Sequence, residues 1–202
     1  GHPLLEDKVQ DKIDLNQIIG KNKAIISIFP GSRKSEIEVL TPILLKFVIL
    51  MNEKYNDLAF VFHSTRQYSE LIQTYIGKHN LNNCEVISDN KIKSHILKKS
   101  IFAVSKSGTV SLEICNAKIA SIILYKMGLI NFLIIKMLVK IKYANIINIA
   151  AKEEIIPELL QSNCNPKKIF EYVSDFLDNP EKIKMQVKKT ELLINKFKTK
   201  KP

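Results

Sequence analysis

Residues 24–51 read AIISIFPGSRKSEIEVLTPILLKFVILM, and this stretch decides the fold. Residues 24–29 form a short, Ile-rich apolar run, the signal of a buried strand. Pro30-Gly31 ends it. Apolar residues then return at Ile37, Leu40, Leu44, Phe47, Val48, Met51 and Tyr55, the 3-4 spacing of an amphipathic helix. Pro42 falls inside that pattern. Either Thr41 caps a second helix with Pro42 in its first turn, or the helix kinks there.

The strand–turn–helix unit recurs downstream. Strands are expected at 58–63, 84–88, 101–105 and 120–125, with helices at 67–79, 91–99 and 108–116. Strands alternating with helices mean βαβ units and a parallel sheet covered on both faces, an α/β fold. The C-terminal third reads as helical. Asn165-Pro166 and Asn179-Pro180 each set a capping residue before a Pro suited to a first helical turn. After the second pair, Ile183, Val187, Thr190, Ile194 and Phe197 form one stripe, with the Lys residues mostly off it. The last residues, KTKKP, are expected to fray.

The chain has 202 residues, 46% hydrophobic and 25% charged. That suits one domain with a substantial core and excludes a disordered tail, a Cys-rich scaffold and a multi-span membrane protein. The net charge of +11 is local. Residues 182–202 hold eight Lys and one acid, residues 126–142 hold four Lys and no acid, and the remainder balances. Residues 127–141 are also the most apolar stretch, interrupted by Lys136 and Lys140 one turn apart. A core helix with a wet edge and a helix lying in a membrane interface both fit. Only Arg33 and Arg66 stand among 29 Lys, and Lys cannot replace a bidentate guanidinium. Cys84, Cys115 and Cys164 lie far apart and read as free core thiols of a reducing compartment. The four His show no metal-ligand spacing, and no signal peptide is visible. The first residue is Gly, which suggests a piece of something longer.

Two segments combine strand ends with helix starts. In FPGSRKSEI (29–37), Gly31 lets a backbone approach a ligand, the helix start offers N–H groups to an anion, and Arg33 adds a donor fork. A plain turn with Ser35 and Glu38 as a capping box also fits. In SKSGTVSLE (105–113), Ser107, Gly108 and Thr109 open a helix, and Glu113 shares a face with Thr109. A carboxylate there can take both ribose hydroxyls. The plain reading is that Thr109 caps the helix and Glu113 is a solvated first-turn acid. A third segment, NIAAKEEIIPELLQ (148–161), is too irregular for a long helix. It offers Asn148, Glu158 and Gln161 as polar ligand contacts or as loop surface.

The ordered set GHPLL, IFPGSRKSEIEVLTP, SGTVSLE, ILYK, LVKIKY, NIA and PELLQ resembles the C-terminal half of the lipid-A-disaccharide synthase family over residues 1–170. The resemblance implies a Rossmann-like sheet, the nucleotide-sugar-binding domain of a GT-B glycosyltransferase, ending in C-terminal helices. It divides the chain into an interdomain junction at 1–22, a UDP-sugar-binding domain at 23–164, and helices with a basic tail at 165–202. The implied reaction is an inverting hexosyl transfer from UDP-2,3-diacylglucosamine to 2,3-diacylglucosamine 1-phosphate (lipid X), without a cofactor or a required metal. Carried over, Gly31, Ser32 and Arg33 lie by the UDP, and Ser107, Gly108 and Thr109 hold its diphosphate. Glu113 binds the ribose, while Asn148, Glu158 and Gln161 line the donor site. The implied setting is the cytoplasmic face of the bacterial inner membrane, with anionic lipid as a partner and a homodimer allowed. The acceptor site and catalytic base fall to an N-terminal half, so this chain alone is expected to be inactive.

Two departures stand out. Ile147 precedes Asn148 where the family has Pro, and Lys106 precedes SGT where it has a small residue. Other readings remain open: a sister GT-B enzyme such as a UDP-GlcNAc 2-epimerase, or a non-catalytic UDP-binding or membrane-docking module. Nucleic-acid binding is disfavoured, because the Lys-rich tail lacks Arg and carries one aromatic, Phe197.

Overall fold

The first strand, β1 (Ala24–Phe29), leads through Pro30-Gly31 into helix α1 (Lys34–Lys54). In the computed structural model, which describes Gly20 and residues 23–126 and 143–199, α1 runs through Pro42 without a break. Pro42 removes one backbone donor. Eight buried residues from Ile37 to Met51 hold the helix against the sheet regardless. Thr41 starts no second helix: it is buried inside α1, and its hydroxyl has no hydrogen-bond partner among the described residues.

Next come β2 (Leu58–His63), a 3-10 turn and α2 (Ser69–Gly77), then β3 (Cys84–Ile87) and α3 (Asn90–Lys99). Asp89 caps α3 by accepting from Lys91 N and Ile92 N. There follow β4 (Ser100–Lys106), α4 (Val110–Asn116) and β5 (Ser121–Tyr125). Past residue 142 lie α5 (Ile146–Ala151), a short sixth strand β6 (Glu158–Leu160), α6 (Pro166–Asp178) and α7 (Pro180–Thr199). The sequence shows no strand at 158–160; three residues after Pro157 are too few for a period to register. The apolar stretch 127–141, the opening GHPLL and the last three residues lie outside the described residues.

Among the described residues, six strands pair in parallel in the order β3-β2-β1-β4-β5-β6. One face of the sheet packs on α1, α2 and α6, through Ile26, Ile28, Phe60, Phe62, Phe102 and Val104. The other packs on α3 through Ile25, Ala59 and Val61, and on α4 and α5 through Ala103 and Ile123. Helix α7 begins against the first core with Ile183 and Val187 and ends against the second with Ile194. Cys84, Cys115 and Cys164 are free and buried, as their wide spacing suggests. Burial pushes the Cys84 thiol up to about 12 and the other two up to about 11. Among the described residues, no helix is long and apolar enough to cross a membrane.

Candidate functional site

In this strand order the chain leaves β1 toward β2 on one side, and returns to β4 on the other. A crevice opens where the order reverses, outside the carboxyl ends of β1 and β4, the usual ligand position in open α/β sheets. Here it is a cleft of about 670 Å³. The last residues of three strands, Phe29, His63 and Lys106, form its floor.

Both motif loops reach this cleft. Gly31 and Ser32 line it from the β1–α1 turn, and Ser107, Gly108 and Thr109 from the β4–α4 turn. Glu113 lines it from the first turn of α4, on the Thr109 side. Thr109 makes no side-chain cap; it has helical dihedrals, and α4 starts at Val110, two residues later than the sequence suggests. Arg33 lies outside the lining, with its side chain 81% exposed and its guanidinium 4.0 Å from Glu36.

The β1–α1 turn differs from the expected empty anion site. The predicted Ser35–Glu38 box is absent; Arg33 is the N-cap of α1, and Glu36 reaches back instead. Glu36 Oε2 accepts from Ser32 N at 3.1 Å and from Arg33 N at 3.3 Å. Its other oxygen, Oε1, lies 2.9 Å from Lys106 Nζ across the cleft. Burial alone would raise this carboxyl, but Lys106 and the two N–H donors hold it below the ordinary glutamate range. Gly31 makes this possible, with φ +122 and an ideal Cβ position 2.5 Å from Glu36 Oε2. The signal was legible in SEI: an acid three residues past a helix start.

His63 was not singled out by the sequence. It is buried and stacked on Phe29 at 4.2 Å between ring centroids. Its Nε2 pairs with Ser27 Oγ at 2.8 Å, Ser27 Oγ pairs with Ser100 Oγ, and Ser100 donates to Ile96 O. The direction follows from the proton count. Ser100 gives its proton to Ile96 and must accept from Ser27; Ser27 must then accept from His63. The ring therefore carries its proton on Nε2. Burial, then the charge of Lys93, push its pKa down to about 3, so it is neutral at pH 7.

Asn148 and Glu158 lie beside the cleft rather than in its lining. Asn148 is buried, donating to Ile156 O and Glu158 Oε1 and accepting from Ile155 N and Ile156 N. Glu158 accepts from Ala144 N at 2.7 Å and Asn145 N at 3.0 Å. Ala144 in turn accepts from Ser107 Oγ at 3.3 Å, tying this network to the β4–α4 loop. Gln161 opens a 3-10 turn after β6, with φ +50.

A family profile described as lipid-A-disaccharide synthetase matches residues 1–201. The chain belongs to this family. Lipid-A-disaccharide synthase of Sulfurihydrogenibium sp. is 33% identical over 96% of the chain and 53% of its own length. That of Persephonella marina is 35% identical over 90% and 49%. The chain thus spans about half the length of the curated relatives it matches. The fold is shared with more distant solved structures. The S. aureus MnaA–UDP structure has a TM-score of 0.64 at 15% identity, covering 95% of this chain and 51% of that one. WaaG, a glycosyltransferase involved in lipopolysaccharide biosynthesis, has a TM-score of 0.56 at 11% identity, over 87% and 44%. This chain and these neighbours thus share a parallel α/β sheet of Rossmann-like type, the fold of GT-B glycosyltransferases.

Proposed function

We propose that the chain is the donor-binding half of a lipid-A-disaccharide synthase. In the reaction the bond between the anomeric carbon of 2,3-diacylglucosamine and the UDP β-phosphate oxygen breaks. A hydroxyl oxygen of 2,3-diacylglucosamine 1-phosphate bonds to that carbon from the opposite side, and its proton passes to a base. Membership of the family supports this reading, and one structural observation carries it: both motif loops and Glu113 meet in a single cleft at the sheet's switch point.

Within that cleft, Ser107, Gly108 and Thr109 hold the diphosphate, Gly31 and Ser32 approach the UDP, and Glu113 takes the ribose hydroxyls, while Arg33 reaches toward the UDP from outside the lining. Asn148 and Glu158 serve the donor site by holding residue 144 against Ser107, with Gln161 at its edge. His63 cannot act as the base at neutral pH through Nε2, which already carries a proton. An N-terminal half supplies the base and the acceptor site. The two basic patches favour docking on the cytoplasmic face of the inner membrane, and dimerisation is compatible with this arrangement.

Titration calorimetry of the purified chain with UDP tests the reading. Heat with UDP and none with ADP is expected, and no disaccharide forms without the other half. Absence of UDP binding, with binding to anionic vesicles, supports a membrane-docking module instead. Disaccharide formation by the 202-residue chain unaided contradicts the division of labour.

A further inference from the structure

Two N–H groups of the β1–α1 turn are already engaged by the protein's own carboxylate. Glu36 Oε2 takes Ser32 N and Arg33 N, and Oε1 takes Lys106 Nζ at 2.9 Å. Both side chains line the cleft; Glu36 is 14% and Lys106 26% exposed, so the ammonium is reachable from solvent. The strand register sets Phe29 level with Ser105. The pair therefore spans the turn after β1 and the end of β4, directly before Ser107, Gly108 and Thr109. Lys106 stands where the sequence resemblance expects a small residue.

We propose that Lys106 is the cation that holds a nucleoside diphosphate in this cleft, and that the Glu36–Lys106 pair is a clasp that a phosphate opens. Carboxylate and phosphate compete for one ammonium. The exchange strands no charge. Glu36 keeps both backbone donors when Lys106 leaves, and Lys106 gains a phosphate oxygen in place of a carboxylate oxygen. Arg33, exposed and 4.0 Å from the same Glu36 oxygen, is placed to replace Lys106 on the carboxylate. When UDP departs from the sugar, negative charge gathers on its β-phosphate, and an ammonium at that point stabilises it.

The inference rests on the UDP-sugar reading, and its test separates the two. UDP and uridine are titrated into the full chain and into Lys106→Met, Lys106→Arg and Glu36→Gln variants. Lys106→Met should weaken UDP by about tenfold or more, the scale of a lost charge-assisted bond, and leave uridine unchanged. Lys106→Arg should retain most of the UDP affinity. Glu36→Gln should tighten UDP several-fold, because the amide oxygen still accepts from Ser32 N but no longer competes for the ammonium. Opposite signs for Lys106→Met and Glu36→Gln mark an exchangeable clasp. Equal weakening by both marks a structural pair and overturns the proposal, as does an unchanged ratio of UDP to uridine affinity in Lys106→Met. A wild-type chain that binds neither ligand overturns the UDP-sugar reading itself, and the clasp with it.

Discussion

At Gly31 the backbone adopts φ +122, a region that L side chains rarely enter, and Glu36 fills the space a Cβ would need. Gly31→Ala is expected to destabilise the fold by about 1–3 kcal/mol, measured as a lower urea midpoint, since both strain and a clash follow. His63 makes a second residue-scale prediction. Its folded pKa of about 3 lies below the ordinary 6.5. Above pH 6.5 the ring is neutral in both states and costs nothing. As pH falls from 6.5 toward 3, the unfolded chain binds a proton that the folded ring refuses. Stability should drop by about 1.4 kcal/mol per pH unit over that window from this group. Urea unfolding at pH 7 and pH 5, compared with His63→Gln, isolates the slope. Imidazole resonances of His63 titrating near pH 6.5 in the folded chain would sink the assignment.

Among the elements, α7 shows how a polar side chain can fix a helix. Its apolar stripe was legible from spacing, but its buried polar anchor was not. Gln186 is buried, accepts from Ser121 N at 2.6 Å and donates to Ser121 O at 3.0 Å. It grips the amino end of β5, opposite the cleft. Gln186→Ala leaves buried peptide groups unpaired and should cost about 2–4 kcal/mol, with faster hydrogen exchange at the Ser121 amide. UDP affinity should stay unchanged, because the contact lies at the far end of the sheet. Asn148 plays the same kind of role for the segment between α5 and β6. Asn148→Asp sets a carboxylate against Glu158 Oε1, now 2.8 Å away, and should cost about 2–4 kcal/mol in denaturant unfolding. Pro42 teaches the converse. A helix breaker read locally as a cap or kink is tolerated because eight buried side chains of α1 outweigh one missing backbone bond.

For the whole molecule, the strand order matters most. It sets β1 beside β4, whose sequence neighbours are far apart, and so joins two turns into one cleft. A ligand seated there bridges both halves of the sheet. UDP at about 100 times its dissociation constant should therefore stabilise the chain by about 2.7 kcal/mol, read as a concentration-dependent rise in melting temperature. An unchanged midpoint at millimolar UDP would argue against the site.

By itself the sequence determined five of the six strands among the described residues, the parallel α/β class, the two motif loops and the family. These are local quantities: apolar period, turn chemistry and motif order are written along the chain. Only the tertiary structure decided which strands adjoin, that Glu36 takes Ser32 N and Arg33 N with Lys106 beside it, and that Asn148 and Glu158 form a brace. It also decided that His63 is neutral with its proton on Nε2. Each of these depends on groups brought together from distant positions, Ser27 with His63 or Glu36 with Lys106. Periodicity encodes which face of an element is buried. It does not encode the partner on which that face, or a charge beside it, comes to rest.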